Sequence, residues 1–491
     1  MTTNDRSAAW LRRALPLVAA ALGFAVLGGC ATVQRDARFP QVQEAASARL
    51  EKNVVWSRDS DQDRRAQEAV RRLLQQELTA DAAVQIALLS NRNLQAELES
   101  LGIAQADLVE AGLLENPVFG ATVLYGDVGT ELDLDVVQDF VSLLSLSARK
   151  KIGEAAAQRI SLETANRVVA LANEVQAQYY AVVGDAQALD LARQVVVSTD
   201  AAAELAERQR ATGNLSRRDQ NIQQAFYAQT LLEVAQAEAQ LASAREKLNR
   251  LMGVWGMDTR WKIPARLPPV PDALPAAEGL ESRAVAQRLD LAAAKKEAEA
   301  AAQALSLTRQ FRYLSPLGIG VAFKRDTDGV KSVGPKVELG FPLFNQGQGR
   351  VARAEAEYSR SQERLAALAV DIRSEAREAR NRLAAAHDVV HHYQKVLLPL
   401  QQSIVSETLK FYNGMLLGVY DLLFAQQNQV QTARQYVAAN KEFWLAWTDL
   451  ERALGGKVPV PAAATPASPP NVPAPQEGAT EDHSHQHGDK P

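Results

Sequence analysis

Apolar positions recur along this chain with two different periods, in a fixed order that occurs twice. Over 117–137 and again over 316–341 the alternation is one for one, as in a half-buried strand. The first stretch reads as strands at 117–125 and 130–137, joined by the turn Gly126-Asp-Val-Gly129. Leu132, Leu134 and Val136 share one face there, and Glu131, Asp133 and Asp135 the other. In the second stretch Leu317, Ile319, Val321 and Phe323 alternate with Gly318, Gly320, Ala322 and Lys324. After the turn Asp326-Thr-Asp-Gly329, Val337, Leu339 and Phe341 alternate with Lys336, Glu338 and Gly340.

A helix period follows each hairpin. The spacing predicts long helices over 149–212 and 350–411, each about sixty residues and roughly 90 Å long. From Arg350 the apolar positions step by three and four: Val351, Ala354, Tyr358, Leu365, Leu368, Ile372, Ala379, Ala386, Val390, Tyr393, Leu397. Gly213 and Asn413-Gly414 are the expected stops. Returning helices then run over 219–252 and 421–454, giving helical hairpins 149–252 and 350–454, with Pro399 expected to bend the second outgoing helix. A shorter helical stretch, 78–112, precedes the first hairpin, with Thr79 as N-cap and Asn116-Pro117 as its stop.

These elements form two copies of one unit. Glu131-Leu132 recurs as Glu338-Leu339, 207 residues on, whereas Arg149 recurs as Arg350 and Gly213 as Gly414, 201 on. The first copy is therefore expected to carry six extra residues within Val136–Ala148. The copies span 78–263 and 280–456, separated by a proline-rich linker, 264–279.

The ends differ from the repeats. Arg6, Arg12 and Arg13 precede an apolar run, Ala14–Val26, that is too short to cross a membrane and fits a signal segment, 1–29. It ends in Leu27-Gly28-Gly29-Cys30, which resembles a bacterial lipobox, so Cys30 is the expected lipidation site. Cys30 is the sole cysteine, so no disulfide can form within the chain. Residues 30–77 are polar and mixed and are expected to run along the surface from the anchor. Residues 457–491, rich in Pro and Ala, end in His483, His485 and His487 and are expected to be disordered. Removing 1–29 takes the net charge from −4 to −6, too mild to favour a nucleic-acid partner.

Taken alone, the alternating stretches suit either a soluble hairpin or membrane strands with a polar lumen. Their length and one-sided apolarity, in this context, favour a membrane barrel, with Phe119, Tyr125, Phe323 and Phe344 near the strand ends as an aromatic girdle. Four strands cannot close a barrel, so it must be shared: two chains would give about 8 strands and three about 12. The residues leave that choice open. The long helices likewise fit a coiled-coil rod or a helical cylinder continuing the barrel.

The stretch Leu78-Thr through Asn91-x-Asn-Leu94, the lipobox, the duplicated hairpins and the Gly213-x5-Asp219 turn together resemble the outer-membrane efflux factor family of the TolC type, over 78–456. The resemblance implies an α+β membrane protein. Three chains would form a 12-stranded outer-membrane β-barrel, four strands per chain, continued by a long periplasmic α-helical barrel. It implies a passive exit duct working with a periplasmic adaptor protein and an inner-membrane transporter, with outer-membrane lipid around it, no catalysis and no cofactor. In the family the narrow entrance is held by carboxylates, a tyrosine and basic side chains. The matching positions are Asp219 and Asp421, with Arg217 and Arg218 beside the first; Phe411 stands where the family often has tyrosine, with Tyr412 next to it, and Asp421 stands seven residues past Gly414 rather than six. Contacts from Arg217 or Arg218 are expected to hold an Asp421 ring shut. His387 and His391, four apart on a helix, and the tail histidines are the candidate metal ligands. For the former a solvated helix face is the expected environment; for the tail, metal cargo is one reading. The competing function is a periplasmic coiled-coil structural or adaptor lipoprotein without a pore.

Overall fold

The computed structural model describes residues 32–458 apart from 58, 59, 128, 315 and 316. Cys30 and the tail histidines lie outside the described residues. Four short helices come first: α1 (Phe39–Leu50), α2 (Ser60–Leu74), α3 (Ala80–Ser90) and α4 (Arg92–Ala111). Strands β1 (Val118–Gly126) and β2 (Gly129–Asp139) lead directly into α5 (Phe140–Ala211), which returns as α6 (Arg217–Met252). The linker and helices α7 (Leu280–Gln287) and α8 (Leu289–Gln310) precede β3 (Leu317–Arg325) and β4 (Lys331–Leu339). The outgoing helix is then α9 (Gln348–His392), a π turn (Tyr393–Leu397) and α10 (Leu398–Asn413), with α11 (Val419–Leu454) returning.

Segment 30–77 departs from the surface path expected of it. Val42, Ala46 and Leu50, four residues apart on α1, are buried with Val54 and Trp56 in the core formed with α3–α6. Arg38, 5% exposed, pairs with Glu154 at 2.7 Å. The low average hydropathy of this stretch hid a narrow apolar stripe. Residues 78–112 form two helices rather than one. Thr79 caps α3 as expected, its hydroxyl accepting from Ala82 N, while Asn91 breaks the run. Asn91 Oδ1 accepts from Leu94 N and its Nδ2 donates to Leu251 O at 2.7 Å, so the break locks onto α6. The second helix ends at Gly112, as the expected bound required, four residues before Asn116-Pro117.

The first long helix begins at Phe140, not Arg149, because Asp139 Oδ1 accepts from Val141 N and starts it at the last strand residue. The expected six-residue insertion is not present: β2 ends at Asp139 and β4 at Leu339, 200 residues apart, nearly the 201 that separate Arg149 from Arg350. At 72 residues, α5 is about 110 Å long. In the second half the strand ends at Leu339 and the helix starts only at Gln348. The 207-residue match is also not a match of position. Leu132 pairs with Val123 near the β1–β2 turn, whereas Leu339 pairs with Leu317 beside the helices.

All four strands form one antiparallel sheet in the order β1-β2-β3-β4. Two cores lie among the helices, one around α3–α6 and one around α7, α9 and α11. They meet at Trp444, which stacks on Tyr180 with centroids 4.9 Å apart and donates Nε1–H to Pro268 O. In α9, Ala354, Ile372, Ala379 and Val390 are buried as the heptad pattern required. Ahead of Pro399 the chain takes the π turn. A proline in mid-helix has no N–H and its ring crowds the preceding turn, and one added residue relieves that contact. Among the described residues no helix is long and apolar enough to cross a membrane.

Candidate functional site

The sheet sorts its side chains by chemistry. Residues directly opposite in an antiparallel pair share a face. The register aligns Ala121, Leu134, Phe323 and Val333 in one row, and Phe119, Val136, Val321 and Pro335 in the next. The row nearer the turns holds Val123, Leu132, Arg325 and Lys331. This apolar face is uncovered: Phe119, Val321 and Val337 are 65%, 55% and 65% exposed. Phe323 lies level with Leu134 inside the sheet, not at its margin as the aromatic girdle required.

The opposite face is charged and ion-paired. Lys324 Nζ lies 2.6 Å from Glu131 Oε1. Lys336 Nζ lies 2.9 Å from Glu338 and reaches Asp135 Oδ2 at 3.0 Å, across the whole width of β3. That reach depends on small residues between them: Gly320 faces Lys336, and Ala322 faces Asp135. A Cβ at Gly320 would fall 2.0 Å from Val136 O, so no side chain fits there.

About 110 Å of helix away are the two helix turns. At the first, Gly213 takes φ +80°, and Gly213 N and Asn214 N close the end of α5 on Arg210 O and Gln209 O. Ser216 then caps α6: its Oγ accepts from Asp219 N at 3.1 Å and donates to Asp219 Oδ2 at 2.7 Å. At the second, Met415 rather than Gly414 takes the left-handed conformation, φ 57°. Met415 N and Leu416 N close the end of α10 on Tyr412 O and Phe411 O. Asp421 Oδ2 accepts from Gly418 N at 3.0 Å, the acidic half of a cap.

The two turns are thus built alike once Met415 is matched to Gly213 and Asp421 to Asp219. Each aspartate stands six residues past its left-handed residue, which removes the seven-residue anomaly. The matching distance is 202, one more than at the start of the long helices, and the π turn accounts for the extra residue.

Of the expected gate residues, Asp421 therefore serves first in the cap of its own helix, whereas Asp219 holds the capping hydroxyl of Ser216, and the helix dipole favours both charges there. Arg218 Nη1 reaches Asp219 at 3.8 Å, with both side chains exposed. The ion pairs found among the described residues do not include the expected clasp of Arg217 or Arg218 on Asp421. Tyr412 is 39% exposed, and Met415, Leu416 and Phe424 in the same turn region are 94%, 72% and 64% exposed. No motif in the sequence assigns a role to Tyr420, which directly precedes Asp421. Its hydroxyl donates to Gln209 Oε1 at 2.8 Å, joining the turns. Burial, then the charge of Asp219, raises its pKa above the usual tyrosine value.

His387 and His391 are also not where expected. Instead of lying on a solvated face, His387, its side chain 12% exposed, packs against the linker and Phe443, and His391 packs on His387.

No protein-family model matches the chain. It is similar to the cobalt-zinc-cadmium resistance protein CzcC of Cupriavidus metallidurans, 24% identical over 386 residues, which cover 77% of this chain and 90% of that protein. Among solved structures it resembles CusC, described with the conformational changes accompanying folding and transmembrane channel formation. The TM-score there is 0.64 at 17% identity, covering 77% of this chain and 92% of CusC. It also resembles the outer-membrane channel OprN, with a TM-score of 0.64 at 16% identity, covering 84% of this chain and 95% of OprN. The fold of the chain is that of these outer-membrane channels.

Proposed function

We propose that this chain, with the fold of the TolC-type efflux factors, is the outer-membrane exit duct of a tripartite efflux pump. The observation that carries the reading is the sheet: one face apolar and uncovered, the other charged and internally paired, with strands 9 to 11 residues long. Strands of that length span a hydrocarbon core, and a closed barrel lets them do so without open edges. Among the described residues β1 and β4 are the two edges of the sheet. Three copies joined edge to edge give a barrel of about 12 strands, wide enough to leave a channel. Its lumen is lined by the Glu131, Asp133, Asp135, Lys324 and Lys336 face.

On this reading the two halves, 78–263 and 280–456, are copies of one unit, and the helices of the three chains close a periplasmic cylinder ending at the turns. A periplasmic adaptor docks there and delivers the output of an inner-membrane transporter. Cys30 carries the lipid anchor. Asp219, Asp421, Arg217, Arg218 and Tyr412, repeated by symmetry, line the entrance. The resistance spectrum of CzcC makes divalent metal ions the first cargo to test. If His483, His485 and His487 bind that cargo, deleting 457–491 lowers metal tolerance without changing export of organic compounds.

The test is planar-bilayer recording on the detergent-extracted protein, with gel migration before and after heating. A duct gives stepwise ohmic conductance and a heat-labile trimer. A monomer that dissolves without detergent and conducts nothing would instead mean a coiled-coil rod.

A further inference from the structure

A duct has no evident use for the histidines of α9. His387 and His391 stand one helical turn apart, with their Nε2 atoms 2.8 Å apart. The Pro271 carbonyl oxygen, in the linker, lies 3.1 Å from His387 Nε2. Phe443, its ring centroid 6.2 Å from that of His387, walls the cluster on one side. Asp388 Oδ1 lies 3.5 Å from His387 Nδ1, and the charge of Asp272, next in the linker, acts on His391.

With both rings neutral, the protons of this cluster cannot be placed without conflict. A neutral imidazole has one N–H and one lone pair. With the His387 proton on Nε2, Pro271 O and His391 Nε2 compete for it, and the Nδ1 lone pair faces the Asp388 carboxylate. With that proton on Nδ1, the Asp388 contact becomes attractive, but the lone pair of Nε2 now faces both Pro271 O and His391. A proton on His391 Nε2 relieves one of those contacts and leaves the carbonyl opposed. His391 Nδ1, buried and without a hydrogen-bond partner among the described residues, fixes neither tautomer. With Nδ1 protonated on both rings, the lone pair of His387 Nε2 faces both a second imidazole lone pair, 2.8 Å away, and a carbonyl oxygen, 3.1 Å away. That donor set fits a cation.

We propose that His387 Nε2, His391 Nε2 and the Pro271 carbonyl bind a first-row divalent transition-metal ion, of the zinc, cobalt or nickel class, that fastens the linker to α9. Histidines four apart on a helix chelate such ions, and imidazole selects them over magnesium or calcium. Asp388 stands where a carboxylate orients a ligating ring and raises its basicity. Two bonds of about 2.05 Å at the tetrahedral angle place the nitrogens roughly 3.3 Å apart, so the rings need to part by about half an ångström. Among the described residues no group of three or more His, Cys, Asp or Glu side chains is gathered, so water completes the coordination and the ion exchanges. The site abuts the π turn Tyr393–Leu397, so a bound ion would stiffen the junction between the two halves. It does not depend on the chain being a duct.

The experiment uses the full-length detergent-solubilised protein with His483, His485 and His487 replaced by Ala, which removes binding by the tail. Titration with Co²⁺, read by its visible absorption band, should show one saturable site per chain, displaced by Zn²⁺. His391→Gln should weaken Co²⁺ binding at least tenfold, and His392→Gln, at an exposed neighbour, should leave it unchanged. Zn²⁺ should also slow proteolysis within 264–279 in the parent but not in His391→Gln. Should His387→Gln misfold, His391→Gln still decides the matter. Absence of saturable binding in the parent, or equal affinity in parent and His391→Gln, overturns the proposal.

Discussion

Tyr420 of α11 donates its hydroxyl to Gln209 Oε1 of α5, so the two helical hairpins are tied at their far ends by one neutral hydrogen bond. Burial and the nearby Asp219 carboxylate both resist ionisation of that hydroxyl, which raises its pKa above the ordinary 10.0. A raised pKa means the tie contributes fully below pH 10 and is lost as pH climbs through the folded-state value. Single-channel conductance should therefore rise at alkaline pH. Tyr420→Phe should show the raised conductance already at neutral pH, with a stability loss of about 1 kcal/mol. A variant whose conductance and alkaline response match wild type would remove Tyr420 from the entrance.

Glu451 offers a second pH test, in the core rather than at the tip. It is 7% exposed, accepts from Gln176 Nε2 at 3.0 Å, and has its pKa raised because burial outweighs the hydrogen bonds from Val458, Trp447 and Gln176. Its contribution is thus present below the ordinary 4.5 and lost as pH rises through the higher folded value. The stability of wild type relative to Glu451→Gln should be greater at pH 4 than at pH 8. Thermal melts of both proteins at the two pH values measure this, and a constant difference would contradict it.

The two sheet faces should respond oppositely to the same substitution. Arg at Val136 or Val321, in the middle apolar rows, should destabilise the folded barrel by about 2–4 kcal/mol. Leu132 is a poorer choice than its alternation suggests, because its row already holds Arg325 and Lys331 and so lies near the membrane boundary. Arg at Asp133, on the charged face, should leave folding in detergent or lipid intact and shift ion selectivity toward anions. Refolding titrations with urea and reversal potentials read the two outcomes, and equal tolerance on both faces would undo the barrel assignment.

The strand faces were legible because alternation states directly which residues share an environment. The long helices were legible because a heptad held over many turns has no other use. What failed was local. Asp139 is a helix cap, yet it stands at the end of an alternating run and reads as one more polar strand residue. Val42, Ala46 and Leu50 form a stripe too narrow to register against their charged neighbours. Matching Gly213 to Gly414 by identity misplaced the second turn by one residue. The left-handed position is set by where the helix ends, and a single residue in the π turn moves that end without leaving a mark on composition. The histidine pair was visible as a spacing, but its burial depends on a linker over one hundred residues away in sequence.

Met415 pays for that displacement. Its φ of 57° is one that side-chain-bearing residues adopt at a cost on the order of 1 kcal/mol, and its side chain is 94% exposed, with little packing to offset the strain. Met415→Gly should accordingly stabilise the second turn by up to about 1 kcal/mol, less the added flexibility of the unfolded chain. Hydrogen exchange at Leu416 N and Met415 N, whose bonds close α10, should slow. Faster exchange would mean that the methionine side chain holds the turn.

The charge and the capping role of Asp421 can be separated, and that separation tests the entrance. Asp421 Oδ2 accepts from Gly418 N, so Asp421→Ala removes both the cap and a charge, and any change in conductance could follow from a frayed α11. Losing a cap costs roughly 1 kcal/mol. Asp421→Asn keeps an acceptor oxygen of the same reach and removes only the charge. If three copies of Asp421 ring the entrance, each adds to a negative potential that a narrow, water-poor aperture focuses. Asp421→Asn should then lower cation selectivity in planar bilayers while the melting temperature stays close to wild type. Replacing Arg217 and Arg218 by Ala should act in the opposite direction, raising cation selectivity by removing the opposing charges. If Asp421→Ala loosens the turn but Asp421→Asn leaves selectivity untouched, the aspartate is a helix cap alone and the constriction lies elsewhere along the helices.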